Sequence, residues 1–307
     1  MSVRLVFLGT GSGKPVPTRN VSSTALFREG DLFLFDCGEG TQLQLAKSSV
    51  RPGAIAGVLL THFHGDHVNG LPGLLGTLGL NQREAPLDLI GPLGLKAWLR
   101  TLRDTGILIP SFELRVREVD APGEVLAGDG WRITASPLDH RVPCFGYAFL
   151  EDARPGRFDL EAAKALGVPP GPMFGRLQRG EPVELEGGVV VTPEQVLGPA
   201  RPGLKIVYAC DTRPHDDVVA FARDADVLIH ESTFPAGDER KAHSRGHSTS
   251  GDAARCARRA GARQLILTHF SQTHPRVRDF LRPARKIFER TEAAQDLWEF
   301  EVTRRER

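Results

Sequence analysis

Three observations predict an α/β fold, a four-layer αββα sandwich. Strand-like and helix-like segments are mixed along the 307 residues instead of falling into separate blocks. Several apolar runs end on a His or Asp, as strands do when they deliver side chains to a common edge. The tetrapeptide Leu60-Thr61-His62-Phe63 returns as Leu267-Thr268-His269-Phe270, each time after an apolar run, which fits two similar half-structures meeting at one cleft.

Taken in order, β-type runs place strands near 3–8, 24–35, 57–61, 87–90, 131–135, 145–149, 205–209, 226–230 and 265–268. Helical periodicity places helices near 40–47, 69–80, 93–103, 159–166, 193–197, 215–223, 249–260 and 276–291. One domain spanning 1–307 is expected, because the candidate ligands run from His62 to His269 and only a single fold gathers them. Residues 151–186 form an inserted arm: Arg154-Pro155-Gly156-Arg157, Val168-Pro169-Pro170-Gly171-Pro172 and the stretch to Gly180 break too often to be a core element.

Composition excludes some classes. A hydrophobic content of 40% with 25% charged residues belongs to a globular chain with a sizeable core. No apolar stretch is long enough for a membrane span, and the apolar start breaks at Gly9-Thr10-Gly11, which argues against a signal peptide. The four cysteines stand far apart without Cys-x-x-Cys spacing, so they read as reduced thiols in the cytoplasm. Cys210, beside Asp211, reads as a strand-core residue. With 39 basic against 38 acidic residues, any affinity for nucleic acid must come from local patches. The basic stretches 255–263 and 276–290 read as solvated helix faces.

The chemistry centres on His62-Phe63-His64-Gly65-Asp66-His67, at the end of the run Gly57 to Thr61. Imidazole and carboxylate are the donors that borderline divalent metals prefer, zinc above all. In an extended segment His62 and His64 point the same way, and Gly65 lets the backbone turn so that Asp66 and His67 approach from another direction. Two directions suggest two metals, and their remaining ligands should stand at other strand ends. His140, Asp211 and His269 each follow such a run.

With those three residues downstream of His62-x-His64-x-Asp66-His67, the chain resembles the metallo-β-lactamase superfamily. Gly9-Thr10-Gly11-Ser12-Gly13, Phe35 to Gln42, Gly167 to Pro172, His230-Glu231-Ser232-Thr233-Phe234 and His247-Ser248-Thr249 narrow the resemblance to its ribonuclease Z branch. That branch removes 3′ trailers from precursor tRNA. The resemblance implies two Zn2+ per subunit, one held by His62, His64 and His140, the other by Asp66, His67 and His269, with Asp211 bridging. It implies Asp66 as general base and His247, oriented by Glu231, as general acid; the competing reading makes His247 a helix cap. Substrate contacts are implied at Arg19, Asn20, Gly171, Pro172, Arg176, Arg179, Ser248 and Thr249. The arm would clamp precursor tRNA, one subunit of a cytoplasmic homodimer presenting it to the other, without membrane or organic cofactor. The chain departs from the branch in one place: Pro17 occupies the position, two residues before Arg19, where a basic residue is usual in the loop that reads the CCA end.

Other readings are a thioesterase or lactamase of the same fold, which needs a small pocket and no arm, and a non-catalytic RNA-binding scaffold, which has no need of all seven ligands. A flavin-linked di-iron enzyme or a nuclease with a large added domain would require chain length that is not left over.

Overall fold

The computed structural model describes residues 3–107 and 110–304. The chain separates into two compact units, one of 1–150 with 205–304 and one of Glu151–Leu204. The arm expected at 151–186 lies within the second, which runs on to Leu204.

Among the described residues the first six strands are β1 (Val3–Gly9), β2 (Ser23–Arg28), β3 (Asp31–Phe35), β4 (Ile55–Leu59), β5 (Leu87–Pro92) and β6 (Leu114–Val119). Next come β7 (Gly123–Gly128), β8 (Trp131–Leu138) and β9 (Cys144–Glu151), then β10 (Val183–Glu184) and β11 (Val190–Val191) in the second unit. The last five are β12 (Lys205–Ala209), β13 (Val227–Glu231), β14 (Leu265–Thr268), β15 (Thr291–Ala293) and β16 (Trp298–Val302). They build two seven-stranded mixed sheets in the first unit, ordered β16-β1-β2-β3-β4-β5-β6 and β15-β14-β13-β12-β9-β8-β7.

The sheets face each other through aromatic side chains. Phe33 lies 4.7 Å from Trp131 between ring centroids, Phe35 lies 5.3 Å from Tyr208, and the Tyr147 hydroxyl donates across to the Leu60 carbonyl at 2.7 Å. Outside the first sheet the helices Leu71–Leu80 and Leu95–Asp104 bury Leu71, Leu74, Leu75, Leu78, Leu95 and Leu99. Outside the second, the helices Ser250–Ala260 and Arg278–Ile287 bury Ala253, Ala257, Phe280 and Ala284. Helices on both outer faces complete the four layers expected.

Parallel pairing places the site. β3, β4 and β5 run parallel in the first sheet, and β12, β13 and β14 in the second, with Phe35 opposite Leu59, Ala209 opposite His230 and Glu231 opposite Thr268. Strands matched in this way end level, and in open α/β sheets the crevice beyond their carboxyl ends is where chemistry collects. Asp36, His62, Asp211, Glu231 and His269 all stand there.

Some elements differ from expectation for identifiable reasons. The run 24–35 is a hairpin, because Glu29 and Gly30 both adopt left-handed backbone and turn the chain in two residues. β6 and β16 carry charged residues at alternate positions, and β7, GEVLAG, is bounded by glycines with one charge, so none had the apolar density of a core strand. The helix expected over 193–197 is a single 3-10 turn, Pro193–Gln195, closed by a Thr192 capping box. The helix over 276–291 stops at Ile287, and Thr291–Ala293 pairs with β14 as a strand.

The second unit has its own small core of Ala163, Val168, Leu177, Val183, Val191 and Val196. Helix Leu160–Ala165 starts where Asp159 accepts the Ala162 amide at 2.9 Å, and helix Pro172–Gln178 starts on a proline. The helix 172–178 was not foreseen because Gly171 and Pro172 read as breaks. The two ends of the unit pair as antiparallel chain: Arg154 and Arg201 exchange both backbone hydrogen bonds at 2.8 Å.

Candidate metal centre and active site

Five imidazoles and two carboxylates converge from four separate stretches of chain. His62 and His64 follow β4 and His67 sits in the single helical turn Gly65–Val68; His140 follows β8, Asp211 follows β12 and His269 follows β14. The donor atoms of His62, His64, His140 and Asp211 lie within 4.8 Å of one another, and those of His67, Cys210, Asp211 and His269 do likewise. Asp66 joins the second group, its Oδ2 being 3.6 Å from His67 Nε2 and 3.4 Å from His269 Nε2.

Asp211 stands between the two groups and divides its oxygens. Oδ2 lies 3.7 Å from both His62 Nε2 and His140 Nε2, whereas Oδ1 lies 3.5 Å from His67 Nε2 and 3.2 Å from His269 Nε2. One carboxylate thus faces two donor pockets. Burial works against its charge, but His269, His67 and His62 outweigh that and hold the carboxyl well below its usual range.

Outer hydrogen bonds fix the rings. Thr61 donates its hydroxyl to Asp36, so His62 Nδ1 donates to the Thr61 oxygen at 2.9 Å. His67 Nδ1 donates to Asp36 Oδ2 at 2.8 Å, and His140 Nδ1 to the Gly246 carbonyl at 2.8 Å. His269 Nδ1 donates to Thr233 Oγ1 at 2.9 Å, because that hydroxyl spends its proton on Glu231 at 2.5 Å. Each of these four imidazoles turns Nε2 inward with a fixed tautomer, the arrangement that makes a good metal ligand. His64 is reversed: its Nδ1 points inward, 2.9 Å from His62 Nε2 and 3.3 Å from His140 Nε2.

Electrostatics tell the same story. Burial disfavours a charged His67, yet Asp211, Asp36 and Asp66 raise its pKa to about 10. The carboxylates around it demand a cation. Burial likewise penalises the Asp66 carboxylate, but the neighbouring His67 and His269 keep it ionised. His62, buried and next to His67, is pushed well below the ordinary imidazole value. The mixed N and O donor set, closed tautomers and matched charge fit divalent metal.

Beside the cluster, His247 Nδ1 donates to Glu231 Oε1 at 3.0 Å and sits 3.8 Å from Asp211 Oδ2. Glu231 is fully buried and held by the amides of Thr212 at 2.8 Å and Thr233 at 3.0 Å. Desolvation opposes a charged His247, but Glu231 prevails and lifts it to about 9. The helix cap is another residue: Thr249 closes a capping box with Asp252. His247 is free of that duty.

The expected substrate contacts are placed variously. Ser248 and Thr249 are buried, the first donating to the Thr212 carbonyl at 2.7 Å. Arg176 and Arg179 are exposed and share Glu181, at 3.3 and 3.2 Å. Gly171 precedes helix 172–178 with φ 140°, and Pro172 opens it. Arg19 and Asn20 lie in the loop before β2, half-buried. Cys210 is buried, its Sγ 3.3 Å from Asp211 Oδ1, and burial pushes its thiol well up.

Sequence reasoning missed Asp36. Its carboxylate accepts from the Thr61 amide at 2.8 Å, the Thr61 hydroxyl, the Tyr208 hydroxyl at 3.0 Å and His67. Asp36 and His269 both have left-handed backbone, φ 62° and 59°, a conformation that costs free energy in a non-glycine residue and is found where geometry matters. The available signal was Asp36's position straight after an apolar strand, shared with Asp211.

The Metallo-beta-lactamase superfamily profile matches residues 16–269. Ribonuclease Z of Methanosarcina acetivorans is 43% identical over 301 residues, 98% of each chain. Ribonuclease Z of Methanothermobacter thermautotrophicus is 44% identical over 300 residues, covering 98% of this chain and 97% of that one. The chain belongs to the ribonuclease Z family of the metallo-β-lactamase superfamily. The crystal structure of human tRNase Z, short form, superposes with a TM-score of 0.71 at 29% identity over 98% of this chain and 99% of that one. Family membership accounts for the fold and for the pair of donor pockets along one edge. Among the described residues no helix is long and apolar enough to cross a membrane.

Proposed function

We propose that this protein is a zinc-dependent endoribonuclease that removes 3′ trailers from precursor tRNA, leaving a 3′-hydroxyl on the tRNA and a 5′-phosphate on the trailer. The observation that carries this reading is the Asp211 carboxylate, set between two imidazole pockets in a chain that is 43% identical to a ribonuclease Z over its length.

His62, His64 and His140 would hold one ion, Asp66, His67 and His269 the other, and Asp211 both. Two such ions, when bound, acidify a water molecule and offset the charge that builds on a phosphoryl group in transfer. Asp66 stays ionised and faces the same space, so it accepts the proton of the attacking water. His247 keeps its proton to high pH and gives it to the departing 3′-oxygen. Glu231 holds the imidazolium and aims it. Gly171 offers a backbone amide and Arg176 and Arg179 offer guanidinium groups to phosphates, contacts that position RNA whatever its sequence, while Pro172, which has no N–H to donate, fixes the start of the helix that carries them. Ser248 and Thr249 act by fixing the chain that carries His247. The protein works as a homodimer in the cytoplasm, in keeping with four buried free thiols.

The test is cleavage of a 3′-extended tRNA transcript with and without chelator, with both product ends mapped. Metal-dependent cleavage beside the acceptor stem, leaving a tRNA 3′-hydroxyl, is expected; turnover of a thioester with intact transcript would select the small-molecule hydrolase instead.

The acid assignment predicts a pH effect. A proton donor works below its pKa, so activity is lost as pH rises through about 9. Glu231→Gln removes the charge that raises His247, and the alkaline limb of kcat/KM on a 3′-extended tRNA, whose ribose 3′-oxygen needs a proton to leave, should move to lower pH. A limb that stays put assigns the ionisation to another group.

A further inference from the structure

The glycine-rich loop between β1 and β2 reaches both segments that flank the second donor pocket. At its tip the Gly13 amide donates to Asp66 Oδ2 at 2.6 Å. One turn earlier the loop exchanges hydrogen bonds with Phe270, the residue after His269: Phe270 N to the Thr10 carbonyl at 2.9 Å and Ser12 N to the Phe270 carbonyl at 3.2 Å. A small shift of this loop therefore moves Asp66 relative to His269.

What holds the loop is a half-buried polar cluster at its base. Thr10 Oγ1 donates to Asp296 Oδ1 at 2.7 Å and accepts from Arg19 Nη1. Asp296 Oδ2 also receives the Asn20 amide at 2.5 Å and Gln44 Nε2 at 3.4 Å. The Arg19 guanidinium lies 4.8 Å over the Phe270 ring, with a longer bond of 3.4 Å to the Ala294 carbonyl. The amides of Thr10 and Gly11 both donate to the Asn20 carbonyl, at 3.1 and 2.8 Å. The close approach leaves no room for a side chain at Gly9, where a Cβ would meet the Val21 carbonyl at 1.8 Å. Arg19 is thus engaged on Thr10, Phe270 and Ala294, and Asp296 collects three donors from separate segments.

We propose that Arg19 and Asp296, joined through Thr10, brace the loop so that the Gly13 amide orients Asp66, making both of them positioning residues for hydrolysis. Arg19 then acts on the centre through the fold, not through an RNA phosphate. This rests on the nuclease reading only in the choice of RNA substrate; the brace itself concerns any phosphodiester.

The experiment compares wild type with Arg19→Ala, Asp296→Asn, the double variant and Thr10→Val, which removes the linking hydroxyl at nearly constant volume. Four quantities are read: bound zinc after dialysis against a weak chelator, thermal midpoint, kcat and KM on bis-p-nitrophenyl phosphate and on precursor tRNA, and the salt dependence of the tRNA KM. A brace lowers kcat on both substrates by one common factor, roughly tenfold for a sub-ångström misplacement. It also lowers zinc retention, leaves the salt slope unchanged, and makes the double variant no worse than either single one. A phosphate contact predicts the opposite for Arg19→Ala: small-substrate turnover intact, tRNA KM raised and the salt slope reduced by about one unit. That result overturns the brace, as does full activity of folded Thr10→Val. Should Arg19→Ala or Asp296→Asn fail to fold, Thr10→Val decides. Failure of the wild type on tRNA with retained phosphodiesterase activity removes the nuclease reading and leaves the brace to be judged on the small substrate.

Discussion

Asp211→Ala should abolish hydrolysis and lower metal content in the same preparation, with turnover of bis-p-nitrophenyl phosphate falling by at least about a thousandfold. The reason is geometric. Each oxygen of this carboxylate serves a different pocket, so one substitution removes an anionic donor from both. The loss also leaves five imidazoles crowded around a neutral side chain, and the charge that favoured a cation falls on both sides at once. Metal analysis and kinetics together make the test sharp. Undiminished activity in a well-folded Asp211→Ala protein would remove the bridging role, and full metal content with lost activity would move Asp211 from holding metal to handling protons.

The second large effect concerns residues 151–204. The antiparallel exchange between Arg154 and Arg201 means that the chain enters and leaves this unit side by side. Residues 155–200 can therefore be replaced by a short Gly-rich turn without stretching the backbone. The shortened protein should lose roughly a hundredfold or more in kcat/KM on precursor tRNA, as expected when several phosphate contacts disappear. On bis-p-nitrophenyl phosphate it should match the wild type, because none of the seven candidate ligands lies in the segment. Equal loss on both substrates would mean that the unit supports the centre instead of gripping RNA.

The parts of the site legible in the sequence were those carried by local pattern. His62 to His67 announced itself by density, and Asp211 and His269 by following apolar runs; strand ends are where a parallel sheet presents side chains. His140 was legible on the same ground, after the strand that ends at Leu138. What escaped depended on long-range partners. Asp36 has no local mark beyond its place after β3, and its role exists only because Thr61, Tyr208 and His67 arrive from elsewhere. The same holds for Asp296, which lies 276 residues from its partner Asn20. Edge strands β6 and β16 escaped for a different reason: half-exposed strands carry charge on alternate residues, and their pattern resembles that of a polar loop, while the short β7 is bounded by glycines that read as turns.

Asp36 draws on both layers of the sandwich, taking Thr61 from the end of a first-sheet strand and Tyr208 from the second sheet while it steadies His67. An ion held by His67 would consequently be linked to the bonds that join the two sheets. At a free-ion concentration a hundred times the dissociation constant, such linkage contributes about 2.7 kcal/mol against unfolding. Removal of the ion should then lower the thermal midpoint and quicken proteolysis as well as stop hydrolysis, which a chelator titration reads directly.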